Sequence, residues 1–220
     1  MPALPLIATV VSVVFLLGLL VAEKRDSRRG RYLCKPVASL GFIAVAAAGG
    51  SLDAPYTQWI VIGLVFGAGG DVALMFPGDR PFLAGLVSFL LGHIAYVVAF
   101  TLVVPVSAWP TPHALAAVVS AVVVTLYLWP HLGSMKVPVM LYVLAITAMA
   151  VGAIAVLVSG QRVMLTDDQA RMLTAGAIAF FASDIAVARE RFVAEGFVNR
   201  SWGLPAYYGG QLLLAWSTVT

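Results

Sequence analysis

The chain has 220 residues, 61% of them hydrophobic and only 10% charged, with a mean hydropathy of +0.98. A soluble domain needs roughly a quarter of its residues charged to cover its surface, and a disordered chain has far less apolar content, so both classes are excluded and the protein belongs in a membrane. The net charge of +3 does not indicate nucleic acid, because the basic residues flank apolar spans where lipid headgroups and topology account for them, and the single Cys34 excludes a disulfide framework or a thiolate-cluster metal site.

A bilayer core takes about 20 apolar residues per helix. Spans of that kind run over 4–22, 35–50, 57–76, 81–104, 112–129, 136–159, 171–189 and 203–219. They predict an all-α integral membrane protein with eight transmembrane helices in a single domain, 1–220, since the runs are too long and too uniformly apolar for barrel strands. The first span has no basic leader or cleavage site and reads as a retained helix. The second, rich in Ala and Gly, is the shortest. Pro36, Pro138 and Pro205 are expected in the first turns of their helices, where a missing N–H costs nothing.

Basic residues fix the expected orientation. Lys24, Arg25, Arg28, Arg29, Arg31, Lys35, Arg80, Lys136, Arg189, Arg191 and Arg200 fall on one side, and only Arg162 and Arg171 on the other. The richer side is expected in the cytoplasm, with both termini outside, and the expected location is the bacterial inner membrane. The run from Lys24 to Arg31 reads as a solvated, orientation-setting cluster. A parallel repeat of two four-helix halves, 1–107 and 108–220, is also visible: Lys35-Pro36 corresponds to Lys136-Val137-Pro138, and Gly70-Asp71-Val72-Ala73 to Ser183-Asp184-Ile185-Ala186. The alternative is coincidence between alanine-rich segments.

Polar residues within the spans carry the functional signal. A carboxylate at mid-helix costs about 2.5–3.5 kcal/mol and so normally faces a polar interior and a partner. Asp71 and Asp184 both qualify, at similar predicted depths and each behind a run of small residues that allows close helix approach. One such Asp is equally explained as interhelical glue; a matched pair points to a site. His93 and Tyr96 share one face of the fourth helix, Tyr207, Tyr208 and Gln211 bring phenols and an amide into the eighth, Tyr142 lies on the sixth, and Ser183 precedes Asp184. Lys35 and Lys136 mark the cytoplasmic starts of the second and sixth helices, either snorkelling to the headgroups or holding a lipid phosphate. A metal on Asp71, Asp184 and His93 is chemically conceivable, but nothing in the spacing demands one; no metal and no cofactor is expected.

The stretch Gly70-Asp71-Val72-Ala73-Leu74, with Phe82, Gly85, Phe89, His93 and Tyr96 after it, resembles the signature of the YhhN, or lysoplasmalogenase, membrane proteins. Ser183-Asp184, Tyr207-Tyr208-x-x-Gln211, Lys35-Pro36 and Met135-Lys136 are similar to the same pattern, with Lys136 standing where the family's usual residue is Arg. The resemblance implies a hydrolase that splits the vinyl ether bond of a lysoplasmalogen into a fatty aldehyde and glycerophospho-ethanolamine or -choline. It implies Asp71 and Asp184 as the acid/base pair. Lys35, His93, Tyr96, Lys136, Tyr142, Ser183, Tyr207, Tyr208 and Gln211 would contact the lysophospholipid. His93, Tyr208 and Gln211 would position water or glycerol oxygens, and Lys35 and Lys136 the phosphate. The implied partners are that substrate and membrane lipids, without nucleic acid. Rival readings of the same residues are a proton-coupled transporter and a non-catalytic lysolipid-binding protein.

Overall fold

The computed structural model describes residues 3–219. Its α-helices are α1 (Ala3–Lys24), α2 (Arg28–Gly49), α3 (Pro55–Ala73), α4 (Asp79–Thr101), α5 (Ala114–Leu128), α6 (Lys136–Val158), α7 (Asp167–Phe192) and α8 (Phe197–Trp216), with short 3-10 turns before and after α5. Six of the eight (α1, α2, α4, α5 continued by its 3-10 turn to His131, α6 with the turn from Gly133, and α7) are long and apolar enough to cross a bilayer. The protein is therefore an all-α, multi-pass membrane fold.

The two remaining helices explain themselves by position. α3 carries Gly63, Gly67, Gly69, Gly70 and Asp71, and α8 carries Asn199, Tyr207, Tyr208 and Gln211. α3 packs against α2, α4 and α8, and α8 against α1, α2, α3 and α7. Polar side chains are thereby kept from the apolar outer surface, which Leu, Val and Ile of α1, α5 and α6 supply.

Local signals set the helix ends. The Ser27 side chain accepts from Gly30 N at the start of α2, and Thr166 and Gln169 form a capping box at the start of α7. Asp167 and Asp168 sit in the first turn of α7 and Arg189 and Arg191 in its last, each complementing the helix dipole. Pro55 opens α3.

Several boundaries differ from the sequence reading. α2 starts at Arg28 rather than near 35, so it is 22 residues long and not the shortest; α8 starts at Phe197 rather than 203. Pro36 and Pro205 therefore lie inside their helices, where each removes one backbone hydrogen bond, and only Pro138 stands in a first turn. The physical reason is that a helix does not end where lipid does: capped, charged turns continue it beyond the apolar span. Arg28 to Arg31 accordingly belong to α2, and Arg31 pairs with Glu23 and Asp26 at 3.5 and 2.8 Å rather than standing solvated. Helix-end counting also fails for depth, because Asp71 lies two residues from the end of α3 but Asp184 eight from the end of α7.

Neighbouring helices approach closely where glycines face each other. A Cβ on Gly176 of α7 would stand 2.7 Å from the Gly210 carbonyl oxygen of α8, and one on Gly210 would stand 2.8 Å from the Gly176 oxygen. Backbone cannot yield as a side-chain tip can, so Gly176→Ala is expected to destabilise by about 1–3 kcal/mol. A fall in apparent Tm in detergent is the readout. Gly209→Ala, whose Cβ would meet nothing within 4 Å, should leave Tm unchanged.

Candidate active-site cavity

The ends of the helices that carry most of the basic residues converge. Arg200 of α8 pairs with Glu190 of α7 at 2.6 Å, with Glu195 at 3.0 Å and with Glu23 of α1 at 3.1 Å, while Arg191 pairs with Asp79 of α4. Next to this network the Arg31 guanidinium donates to Asp26 and holds its carboxyl below the usual carboxylate range. A cavity of about 700 Å³ opens here and runs inward between the helices. Its mouth is charged, with Arg28, Arg31, Arg191 and Arg200 among Glu23, Glu190 and Glu195; its walls are apolar, including Phe89, Val124, Val143 and Ile146. Both Asp71 and Asp184 line it, together with Lys35, Tyr142, Ser183 and Tyr207.

Asp71 is 2% exposed and surrounded by donors. Its Oδ2 accepts from Ser39 Oγ of α2 at 2.7 Å and from the Tyr207 hydroxyl of α8 at 2.8 Å, and its Oδ1 lies 3.4 Å from Lys35 Nζ. Ser39 and Lys35 are one helical turn apart, so α2 presents both to the same carboxylate. Behind Tyr207 the chain of polar contacts continues: Gln211 Nε2 donates to the Tyr207 oxygen at 3.4 Å, and the Tyr96 hydroxyl donates to Gln211 Oε1 at 2.7 Å. Tyr208 sits 3.3 Å from both Ser39 Oγ and the Lys35 carbonyl.

Asp184 has a different environment. Tyr142 of α6 donates to its Oδ2 at 2.6 Å, and His93 Nε2 of α4 lies 3.8 Å from the same oxygen. His93 Nδ1 is fixed on the Phe89 carbonyl at 2.7 Å, and the ring packs on Phe180 and Tyr142. Ser183, beside Asp184, donates to the Phe180 carbonyl at 2.7 Å.

The structure thus brings seven of the sequence-selected side chains around the two carboxylates and the cavity wall: Lys35, Asp71, His93, Tyr142, Ser183, Asp184 and Tyr207. His93, Tyr96, Tyr208 and Gln211 are not among the residues that line the cavity: Tyr96 and Gln211 stand behind Tyr207, Tyr208 lies beside Ser39, and His93 lies beside Asp184. Lys136 is apart from the cavity altogether, its ammonium 4.7 Å from the Trp129 ring centre. Lys35 lines the cavity, and its ammonium reaches the Asp71 carboxylate. Sequence reasoning missed Ser39, whose signal was its spacing of four from Lys35. It also missed the arginines of the mouth, which it assigned to topology. Among the described residues, no three His, Cys, Asp or Glu side chains converge in a metal-binding geometry.

The Lys35–Asp71 pair is nearly enclosed, so breaking it from one side leaves a charge without its partner. Lys35→Met and Asp71→Asn should each destabilise, and the double variant should lose less than the sum by at least about 1 kcal/mol. Apparent unfolding free energies of the three variants in detergent measure that coupling; strict additivity would contradict it.

Residues 30–218 match the YhhN family. The chain is 31% identical over 178 residues to a lysoplasmalogenase of Mycobacterium tuberculosis, covering 78% of this chain and 63% of that protein. It is 33% identical over 190 residues to lysoplasmalogenase TMEM86A of Homo sapiens and 30% identical over 193 residues to that of Bos taurus, covering in each case 84% of this chain and 76% of the relative. The chain therefore spans somewhat under two thirds of the mycobacterial relative's length. No solved structure matches it.

Proposed function

The chain belongs to the YhhN family, and from that premise we propose that it is a membrane hydrolase that splits the vinyl ether bond of a lysoplasmalogen, with Asp71 and Asp184 as its acid/base pair. One observation carries this reading: both intramembrane carboxylates open into one cavity whose mouth is charged and whose walls are apolar. That distribution suits a single-chain phospholipid, with headgroup at the mouth, alkenyl chain along the walls and ether bond between.

The chemistry needs both carboxyl states. A protonated carboxyl gives its proton to the β-carbon of the vinyl ether, whose π electrons form the new C–H bond and leave an oxocarbenium ion. The ionised carboxylate steadies that cation and takes a proton from the water that adds to it. The resulting hemiacetal breaks its bond to the glycerol oxygen, which leaves with a proton, and a fatty aldehyde is released. One water is consumed, and each carboxyl ends as it began after the protons are returned. Glycosidases divide the same labour between two carboxyls over an oxocarbenium-like transition state, and an enclosed cavity strengthens every charge interaction along the path.

Phosphate recognition falls to the mouth in this reading, because Lys35 is committed to Asp71 and Lys136 is remote. Arg28 is the lining arginine that faces no carboxylate among the described residues; its Nε donates to the Tyr32 hydroxyl at 2.8 Å, leaving the rest of the guanidinium for a phosphate. All eight helices cross the bilayer in this proposal, with the basic mouth in the cytoplasm and the plasma membrane of a bacterium as location. The half-repeat has support in the neighbours: Asp71 on α3 is held from α2 and α8, and Asp184 on α7 from α6 and α4, the same relation displaced by four helices.

Aldehyde release from 1-alkenyl-2-lyso-glycerophosphoethanolamine by the detergent-solubilised protein tests the proposal. Wild type should form aldehyde, and Asp71→Asn and Asp184→Asn should each lower kcat by about 10²–10⁴ in folded protein. A folded double variant that still releases aldehyde would overturn it.

A further inference from the structure

Among the described residues, His93 Nε2 is one of two buried side-chain polar atoms without a hydrogen-bond partner. Its position is not accidental slack. Nδ1 faces the Phe89 carbonyl oxygen at 2.7 Å, and a carbonyl only accepts, so Nδ1 carries the ring proton. In the neutral ring, Nε2 then holds a bare lone pair. The ring is clamped between Phe180 and Tyr142, with centroids 4.6 and 5.1 Å away, and this clamp aims Nε2 at Asp184 Oδ2, 3.8 Å distant.

A bare nitrogen facing a carboxyl treats its two states unequally. It accepts a hydrogen bond from a protonated carboxyl after a shift of under about 1 Å, and it opposes an ionised one lone pair to lone pair. Transfer of the proton to the ring would create an ion pair in an apolar interior, at the cost of desolvating both charges. The groups facing Asp184 are few: Tyr142 from α6, which donates to Oδ2, and His93 from α4. α8 contributes Tyr207, already committed to Asp71, and α5 contributes only Ala121, Val124 and Leu128 to the cavity. Among the described residues, no Lys or Arg pairs with Asp184. Asp71 differs in degree and in charge, with the Lys35 ammonium and two hydroxyl donors favouring the ionised form where Asp184 has the single Tyr142 donor.

We propose that His93 is a positioning residue that keeps the proton on Asp184, so that Asp184 is the proton donor and Asp71 the carboxylate that stabilises the cation. The proposal rests on the hydrolase reading for its catalytic meaning, but its physical content is independent of turnover. Asp184 lines the cavity, and its Oδ1 has no protein donor among the described residues, which leaves that oxygen to face the substrate while Oδ2 is held by Tyr142 and His93.

Two measurements test it. Infrared spectroscopy of the full-length protein, without substrate, should show a protonated-carboxyl stretch at neutral pH that disappears in Asp184→Asn and persists in Asp71→Asn. In His93→Leu that band should titrate away at lower pH, by roughly one unit for the loss of one hydrogen-bond acceptor. His93→Gln, which offers an acceptor near the Nε2 position, should restore the wild-type titration. In turnover of the alkenyl lysolipid, the alkaline limb of kcat should move down by the same amount in His93→Leu, since a donor that ionises earlier is lost earlier as pH rises. KM should hold, because His93 does not line the cavity. Absence of the band in wild type, its loss in Asp71→Asn instead, or a uniform loss of kcat in His93→Leu with an unmoved limb would each overturn the assignment. Failure to form aldehyde at all would sink the hydrolase reading and leave the infrared result to judge the pair.

Discussion

Burying Asp71 is the constraint on which the arrangement turns. A carboxylate at 2% exposure inside an apolar bundle is tolerable only when several donors surround it. α3 cannot supply them to its own residue, so α2 brings Lys35 and Ser39 and α8 brings Tyr207. That requirement draws α2, α3 and α8 to one point. It also explains why Gly67 precedes Asp71 by one turn: a Cβ there would stand 2.2 Å from Gln211 Nε2, in the polar chain that supports Tyr207.

The second carboxylate is held more loosely, and the contrast between the two gives the cavity its chemical polarity. Asp71 is ringed by donors on the α2 and α8 side, whereas Asp184 meets one phenol and one imidazole on the α4 and α6 side. Two identical cradles would favour the same protonation state twice over, which acid/base chemistry cannot use. The charged network at the mouth, centred on Arg200 and its three glutamates, ties α1, α7 and α8 together where the cavity opens, so the same contacts that close the bundle also shape its entrance.

Much of this was legible in the sequence, and the reasons for the remainder are physical. An all-α membrane fold followed from apolar run length, with six helices long and apolar enough to cross a bilayer, and the two aspartates stood out because a charge inside an apolar span is costly. Helix ends were misplaced at α2 and α8, since hydropathy registers lipid contact while the helix itself continues through capped, charged turns such as Ser27 to Arg31. The roles of Lys35, Lys136 and His93 depended on where side chains point. Lys35 and Lys136 occupy similar sequence positions, yet one reaches Asp71 and the other lies over Trp129. No periodicity distinguishes these fates. Ser39 was overlooked because a lone Ser in an alanine-rich helix carries no cost that would draw notice, although its spacing from Lys35 placed it on the same face.

In the proposed reading, one cavity presents both carboxylates to the ether bond of a single lipid. An experimental structure with a saturated 1-alkyl lysophospholipid, which keeps the ether oxygen but lacks the reactive double bond, tests it most directly. The ether oxygen is expected between Asp71 and Asp184, the phosphate at the arginine-lined mouth and the alkyl chain along the apolar wall. A lipid seated on the outer surface, or one whose ether carbon approaches neither carboxylate while the cavity stays closed to it, would rule out a shared site for the two carboxylates.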